Sequence, residues 1–430
     1  MKIKTTAIMA GIITILAVLT ACDTGGTVSF QATNEVVSEE AAAPSSLTGN
    51  AAFAEKTEQT EETEQNGEDD LFTKRDLEQS PDLSEAKYLT VESGQDLTID
   101  TAGIYVLGGQ AQDSSVIVDV SDEEKVQLVL DGLSVTNQDT PCIYVKSADK
   151  VFITLQGSTN SLSVTGDFAA DGDTNTDAVI FSKEDLVING TGSLTIASSD
   201  NGIACKDELK VTGGSLMISC KGSALESKDN IAVADGNIEI SECNDGLHAE
   251  DNDDDSKGSV YIGGGVLNIH AADDAIHATT EVTIDGGEMD LMAAEGIEGT
   301  VITINGGDIR IDASDDGINA ANKSSVLTPI FTMNDGNVTI RMAQGDTDGV
   351  DSNGDIIING GTLDITGQST FDCDGRAEVN GGTIIENGVE TNTITNQMMG
   401  GHGGMGNFGD RGDFGKMGDP SQNGELGEMG

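Results

Sequence analysis

Apolar and polar residues alternate along most of the chain after about residue 186, in short runs that are separated by pairs of glycine. Residues 302–312, for example, read ITINGGDIRID, with isoleucine at alternate positions on either side of the two glycines. Alternation with a period of two is typical of strands that bury one face. This part of the sequence has no helical periodicity. The pattern therefore predicts short strands that turn at glycine.

The glycine pairs recur at regular intervals. The second glycine of each pair, or its equivalent, falls at residues 192, 214, 236, 265, 287, 307, 336, 361 and 382, which are 20 to 29 residues apart. A single unit of this kind cannot bury its inner face, so successive units must stack. We interpret residues 88–180, which are less regular but rich in strand formers, as the first coils. The predicted fold is all-β, a parallel β-helix (solenoid) of about 10 to 12 coils.

Each repeat carries a five-residue pattern after its second strand, as in DAIHA at 274–278 and DGINA at 316–320. Because the coils stack, the first and fourth positions of this pattern are expected to form two columns. The first column contains Asn201, Ser223, Asp245, Asp274, Glu295, Asp316 and Asp348. The second contains Ala204, Glu226, His248, His277, Glu298, Asn319 and Asp351.

Stacked carboxylates need a counterion. At the spacing of about 4.8 Å between coils, two of them repel by about 1 kcal/mol in water and by about 3 to 4 kcal/mol at an effective dielectric constant of 20. Calcium takes oxygen ligands at about 2.3 to 2.6 Å, so one ion can bridge two coils. The alternative is that these acids are turn formers that cap backbone amides. We predict calcium ligands among Asp245, Asp273, Asp274, Glu295, Glu298, Asp315, Asp316, Asp348 and Asp351.

One longer repeat contains a second candidate for calcium binding. The insertion at 250–258 reads EDNDDDSKG, and Asp251, Asp253 and Asp255 are its candidate ligands. The spacing does not match an EF-hand loop, and a solvated acidic loop is the alternative. His248 and His277 lie one coil apart in the second column, where they either hold a transition metal or form a hydrogen-bonded ladder.

The composition narrows the choice of partner. The 430 residues include 75 acids and 21 bases, for a net charge of −54, which opposes binding to nucleic acid. The chain has no Trp and four Tyr, so flat aromatic stacking onto cellulose is poorly supported. Five cysteines besides Cys22 are an odd number, and we interpret most of them as small buried residues.

The two ends of the chain differ from the repeats. Residues 1–22 have a charged start, a short apolar core and the sequence LTAC, which resembles a bacterial lipoprotein signal with lipidation at Cys22. An ordinary signal peptide is the alternative. Residues 23–85 are predicted to be a disordered acidic tether, residues 86–395 the solenoid, and residues 396–430 a disordered Gly/Met-rich tail. We expect a monomer that is anchored to the membrane by lipid and exposed at the cell surface.

Three stretches carry a family resemblance: VQLVLDG at 126–132, IYVKSADKVFITL at 143–155, and DGLHA at 245–249 with its acidic insertion. Over residues 86–390 the chain resembles a family of bacterial carbohydrate-binding β-helix proteins. The resemblance implies a right-handed helix similar to that of pectate lyases, structural calcium, and binding to cell-wall polysaccharide that includes acidic sugars.

The expected function is therefore calcium-dependent binding of an acidic, uronate-type polysaccharide, without catalysis. A polysaccharide lyase is one alternative, and it would need a base beside the calcium ion. The basic candidates are Arg310, Arg341, Arg376, Lys206 and Lys228, which we expect to pair with neighbouring acids. A structural or adhesive surface protein that projects its tail is the other alternative.

Overall fold

The computed structural model describes residues 71–157, 159–345 and 347–395. The predicted signal segment with Cys22, most of the tether and the tail at 396–430 lie outside the described residues. Every helix or strand assigned within those ranges is a β-strand. None of the described segments forms a helix that is long and apolar enough to span a membrane.

The strands, in chain order, are β1 (Lys87–Thr90), β2 (Leu97–Ile99), β3 (Gly103–Gln112), β4 (Val116–Asp119), β5 (Lys125–Asn137), β6 (Ile143–Ser147), β7 (Lys150–Leu155), β8 (Thr159–Val164), β9 (Ala178–Ser182), β10 (Asp185–Gly190), β11 (Ser193–Ser198), β12 (Asn201–Cys205), β13 (Glu208–Val211), β14 (Ser215–Ser219), β15 (Leu225–Ser227), β16 (Asn230–Val233), β17 (Asn237–Glu242), β18 (Leu247–Ala249), β19 (Ser259–Ile262), β20 (Val266–His270), β21 (Asp274–Ala278), β22 (Glu281–Ile284), β23 (Glu288–Ala293), β24 (Glu295–Gly299), β25 (Val301–Ile304), β26 (Asp308–Ala313), β27 (Asp316–Ala320), β28 (Ile330–Met333), β29 (Asn337–Met342), β30 (Asp348–Ser352), β31 (Asp355–Ile358), β32 (Thr362–Thr366), β33 (Ser369–Cys373), β34 (Ala377–Val379), β35 (Thr383–Glu386) and β36 (Val389–Thr391).

These strands form a parallel β-helix, as the repeat predicts. The twelve-stranded sheet consists of β2, β4, β6, β9, β12, β15, β18, β21, β24, β27, β30 and β33, one strand from each coil. The other 24 strands form a second sheet in which each strand also pairs with its equivalent in the next coil. The terminal pair β35–β36 is antiparallel. The predicted number of coils agrees with the twelve strands of the smaller sheet.

The core consists of aliphatic side chains that stack from coil to coil. In the twelve-stranded sheet one such stack runs through five successive strands, each residue in register with the next. All five side chains are fully buried, and burying each stabilises the fold by about 1.5 to 3 kcal/mol. The stack contains Ile276, Ile297, Ile318, Val350 and Phe371.

The two glycines of each pair have different structural roles. Gly307, the second of its pair, has a φ of +97°, a conformation that a side chain would strain. Gly306, the first, passes so close to the neighbouring coil that an added Cβ would lie 2.6 Å from the carbonyl oxygen of Asp285. The glycine pair is thus required both by the turn and by the packing of one coil on the next.

The described part of the predicted tether, residues 71–85, contacts the coils. The Arg75 guanidinium lies 4.2 Å from the centre of the Phe152 ring. The Gly190 amide donates a hydrogen bond to Gln79 Oε1 at 2.8 Å, and Gln79 Nε2 donates to the Thr212 carbonyl at 3.0 Å. The segment that leads into β1 is therefore held against the side of the solenoid.

Candidate functional site

The twelve-stranded sheet aligns the two predicted columns. In the second column, Glu226 pairs with His248, His248 with His277, and so on through Glu298, Asn319 and Asp351. In the first column, Asp274 is in register with Glu295, and Asp316 with Asp348. The structure extends the second column to Asp372, beyond the residues predicted from the sequence.

Part of these columns forms a compact set that we name the histidine cluster: Asp245, His248, Asp274, His277 and Glu298. His277 Nδ1 lies 2.9 Å from Asp274 Oδ2 and 2.8 Å from Glu298 Oε2. His248 Nδ1 lies 3.3 Å from Asp245 Oδ2. The two imidazole rings are stacked, with centroids 4.5 Å apart and planes inclined by 8°. The histidines are therefore placed among carboxylates in two successive coils.

Ion pairing balances most of the charge in the histidine cluster. Lys323 Nζ, from the loop at 321–329 that follows β27, lies 2.8 Å from Glu298 Oε2, and the Glu298 side chain is only 5% exposed. Burial alone would lower the pKa of His277, but its contacts with Asp274 and Glu298 raise it to about 9. Burial would raise the pKa of Glu298, but hydrogen bonds from His277 and Lys323 lower it. These carboxylates are compensated by cations of the protein itself.

The next coils contain the acidic cluster, which consists of Asp316, Asp348, Asp351 and Asp372. Burial and the charges of the neighbouring acids raise the pKa of Asp316 to about 7. Burial, with the charges of Asp372 and Asp348, raises the pKa of Asp351 to about 6. In the described ranges, no Lys, Arg or His forms an ion pair with Asp316 or Asp351. The carboxylates of Asp316 and Asp351 therefore lack the ion pairs present in the histidine cluster.

Glu295 lies at the boundary between the two clusters. Asn319 Nδ2 donates a hydrogen bond to its Oε2 at 3.0 Å. Burial, followed by the charge of Glu298, nevertheless raises the pKa of Glu295 to about 8. An amide donor is therefore not enough to stabilise the ionised form of this carboxyl group.

The remaining predicted ligands are arranged differently. Asp273 and Asp315 are exposed at turns, where their backbone groups link adjacent coils. In the insertion, Asp251 Oδ1 lies 2.9 Å from Lys228 Nζ, and the Asp253 side chain is 92% exposed. Asp255 Oδ2 accepts a hydrogen bond from the Ser325 amide at 2.9 Å. Asp253 Oδ2 also lies 3.7 Å from Lys228 Nζ, so all three candidate ligands of the insertion contact groups of the protein.

The contact between Asp255 and Ser325 joins two long loops, one after β18 and one after β27. Two coils, those of β21 and β24, lie between these strands in the sheet. Together with the Lys323 ion pair to Glu298, this contact places the loops beside the histidine cluster.

A row of four lysines lies two positions beyond the second column, and the sequence analysis did not predict it. The backbone amides of Lys183, Lys206 and Lys228 donate to the preceding coil at Val145, Ser182 and Cys205, respectively, so the lysines continue the strand register. We name the row the lysine ladder, and it consists of Lys146, Lys183, Lys206 and Lys228. Its signal in the sequence is a lysine near the end of β6 and just after each of β9, β12 and β15, the next strands of the twelve-stranded sheet.

Three members of the lysine ladder form ion pairs with partly exposed acids. Lys146 Nζ lies 2.8 Å from Asp171 Oδ2, and Lys206 Nζ lies 3.1 Å from Glu226 Oε1. Lys228 pairs with Asp251 in the same way. Below the ladder, the Tyr144 and Phe181 rings are buried in an edge contact with centroids 5.7 Å apart. These aromatic rings are therefore not available for stacking on a ligand.

Most of the bases considered for a lyase pair with acids, as expected. Arg310 binds Asp312 at 2.8 Å, and Arg376 binds Asp355 at 2.7 Å. Lys206 and Lys228 have the partners given above. Arg341 lies beside a shallow groove of alanines and methionines on another face.

A family model for carbohydrate-binding domain-containing proteins matches residues 93–349, and the chain belongs to this family. A protein of Acetivibrio thermocellus that is described as a carbohydrate-binding domain-containing protein is 38% identical over 126 residues. The match covers 28% of this chain and 44% of that relative, so the chain spans less than half of the relative's length.

A solved structure described as a polysaccharide lyase-like protein from C. thermocellum, in a gadolinium derivative, also resembles the chain. The match has 23% sequence identity and a TM-score of 0.41. It covers 68% of this chain and 98% of the solved one.

Proposed function

We propose that this protein binds an acidic polysaccharide along the outer face of the twelve-stranded sheet, with calcium ions completing the binding surface. The observation that carries the proposal is the lysine ladder, in register with the carboxylate columns of the same sheet. Four ammonium groups in successive coils are unusual in a chain of net charge −54. A ligand with repeating negative charge is the partner that such a row favours.

The ion pairs of the ladder can be exchanged at little cost. Lys146, Lys206 and Lys228 have side chains that are 28 to 32% exposed, and such pairs contribute about 0 to 1 kcal/mol to stability. A sugar carboxylate can therefore replace a protein carboxylate with a small loss. The coils are about 4.8 Å apart, a spacing similar to the length of one pyranose unit in an extended chain. Successive uronates can then meet successive lysines.

The proposed calcium ions bind at the acidic cluster. Two adjacent coils bring Asp316 and Asp348 into register, and the Asp348 amide donates to Asp316 Oδ1 at 3.1 Å. Carboxylate oxygens are the ligands that calcium prefers. The pKa of Asp316 is raised first by burial and then by the charges of neighbouring acids, and a bound cation would offset both effects. A bound calcium ion also reverses the sign of the local field, so it can bind a uronate.

We propose binding rather than cleavage because four of the five basic candidates are engaged by acids of the protein. Lipidation at Cys22 would hold the protein outside the cytoplasmic membrane, where calcium and cell-wall polysaccharide are both present. This location is part of the proposal and follows from the signal-like segment of the sequence.

The test is binding of polygalacturonate, compared with an uncharged glucan, in calcium and in EDTA. We expect binding of the acidic polymer alone, weakened by EDTA and by added salt. The double variant Lys183→Gln, Lys206→Gln should bind about ten-fold more weakly, a loss of about 1.4 kcal/mol. Lys125→Gln is the matched control, because Lys125 is a partly exposed lysine paired with Asp149 on the other sheet.

Four outcomes would contradict the proposal. Equal binding of the glucan would show that recognition does not depend on the charge of the polymer. Full binding by the double variant would show that the lysine ladder does not contact it. Loss of binding after deletion of residues 398–430 would instead favour an adhesive function of the tail. Formation of an unsaturated product from the polymer would establish a lyase.

A further inference from the structure

We propose that His248, His277 and Glu250 form a binding site for a transition metal ion, with zinc as the best match, separate from the proposed calcium sites. This inference does not depend on the binding of carbohydrate. It is based on the orientation of two imidazoles and on the chemistry of the three side chains.

The two histidines are oriented by the same local contact in successive coils. Each imidazole has its Nδ1 beside the carboxylate three residues earlier, Asp245 for His248 at 3.3 Å and Asp274 for His277 at 2.9 Å. The ring planes differ by only 8°. The two rings therefore lie nearly parallel, each with its Nδ1 facing an aspartate.

This arrangement is the one that prepares histidine for metal binding. A carboxylate beside Nδ1 fixes the ring, so that Nε2 is already in place for a metal ion that displaces its proton. Within the described chain His277 Nδ1 contacts two carboxylates, and its Nε2 has no hydrogen-bond partner. Only 7% of the His277 side chain is exposed, so the ring as a whole has little contact with water.

Glu250 supplies the third ligand. Its Oε2 lies 3.1 Å from His248 Nε2, and one ligand atom from each of His248, Glu250 and His277 lies within 4.8 Å of the other two. Two imidazoles and a carboxylate, with a water molecule in the fourth position, form a common zinc donor set. Calcium prefers oxygen ligands alone, so this set discriminates against it.

A neighbouring set of close ligand atoms is a weaker candidate. Asp274, His277 and Glu298 also lie within 4.8 Å of one another. The His277 Nδ1 proton and the ammonium group of Lys323 already fill the space between those carboxylates. Asp274 and Glu298 therefore hold the His277 imidazole in position and do not themselves bind the metal ion.

Metal binding requires the two rings to move toward one ion. Two nitrogens at about 2.0 to 2.1 Å from one tetrahedral zinc ion lie about 3.3 Å apart. The ligand atoms of the three side chains lie within 4.8 Å of one another, and the two nearly parallel rings must tilt toward each other before their in-plane lone pairs can converge on one ion. His248 is only partly buried, with 21% of its side chain exposed, and its ring can tilt toward the better-held His277.

The test is titration of the full chain with zinc, and with cobalt as a spectroscopic substitute. We expect one equivalent bound in the presence of excess calcium, with the visible absorption bands of tetrahedral cobalt. His248→Ala should abolish this binding. Asp245→Asn, which removes only the orienting carboxylate, should weaken it by about 10- to 100-fold. Circular dichroism should show the same β-sheet content in both variants.

Two histidines outside the site provide the controls. His270→Ala changes an exposed imidazole on β20, and His402→Ala changes the one in the Gly/Met-rich tail. Both variants should bind zinc as the unaltered protein does. Absence of zinc binding, its displacement by calcium, or its loss in His402→Ala with retention in His248→Ala would each overturn the proposal.

Discussion

The histidine cluster and the acidic cluster occupy the same two columns of the same sheet, yet they manage charge in opposite ways. In the histidine cluster, two imidazoles and Lys323 compensate the buried carboxylates Asp274 and Glu298. In the acidic cluster, Asp316 and Asp351 face other acids, and their pKa values rise to about 7 and 6. The same backbone arrangement therefore supports one site that the protein neutralises itself and one in which Asp316 and Asp351 have no ion-pair partner among the described residues.

The comparison shows that the strand register determines which side chains are adjacent. Their charges then determine whether the interaction between them is attractive or repulsive. A coil spacing of about 4.8 Å brings any two column residues close together. Between carboxylates this proximity is repulsive, and between carboxylate and imidazolium it is attractive. One substitution in a column can therefore convert one kind of site into the other.

The largest effect should come from removing the central cation of the histidine cluster. His277→Leu leaves Asp274 and Glu298 buried beside each other, with side chains that are 11% and 5% exposed. Removing one partner of a buried charge pair costs about 3 to 5 kcal/mol. Urea denaturation in metal-free buffer should show this loss in the free energy of unfolding.

His270→Leu is the control for that substitution, because His270 is exposed on β20. Its effect should stay within about 0.5 kcal/mol. If His277→Leu lowered the free energy of unfolding by an equally small amount, the His277 imidazole would not be needed to stabilise the buried carboxylates.

Calcium should produce the next largest effect, and it should act through the acidic cluster. At 100 times its Kd, one bound ion stabilises the folded protein by about 2.7 kcal/mol. The double variant Asp316→Asn, Asp351→Asn should lose this response in thermal unfolding. In EDTA it should be more stable than the unaltered protein, because the repulsion is gone.

Asp290→Asn is the matched control, since Asp290 is a largely exposed acid on β23, outside both columns. It should keep the full response to calcium. An unaltered protein that melts at the same temperature in calcium and in EDTA would contradict calcium bridging and leave the acids as turn formers.

The fold and the register of the two columns can be predicted from the sequence. The glycine pairs and the period-two alternation predict the parallel β-helix and the register of both columns, because backbone conformation repeats with every coil. Asp274, Glu295, Asp316 and Asp348 stand where that repeat puts them.

The compensation of charge is harder to predict, because it comes from segments that do not repeat. Lys323 reaches Glu298 from the loop at 321–329, whose path is not set by the alternation. Lys146 and Lys183 are 37 residues apart, whereas the later ladder residues are 22 to 23 apart, so the longer connection obscures the row. The insertion acids Asp251 and Asp255 likewise bind Lys228 and the Ser325 amide.

A smaller effect should appear when pH is varied without calcium. The pKa of Asp316 is raised in the folded state, so the folded protein binds more protons than the unfolded chain between pH 4 and 7. Stability is therefore greatest below the ordinary pKa of a carboxyl group and falls as pH rises through about 7. We expect a fall of about 1 kcal/mol between pH 5 and pH 8, because solvent screens this half-buried group. In Asp316→Asn, urea denaturation should show a flatter profile, and a steeper one would contradict this assignment.

The smallest effect on stability should come from changes in the lysine ladder, where partly exposed lysines pair with partly exposed acids. Lys206 and Glu226 are 28% and 21% exposed, between the exposure of His277 and that of a free surface side chain. Lys206→Ala should therefore lower the free energy of unfolding by less than about 1 kcal/mol. The same substitution should weaken polygalacturonate binding measurably, because the ladder acts on the ligand rather than on the fold. A large loss of stability with unchanged binding would make Lys206 a structural partner of Glu226 and remove it from the binding surface.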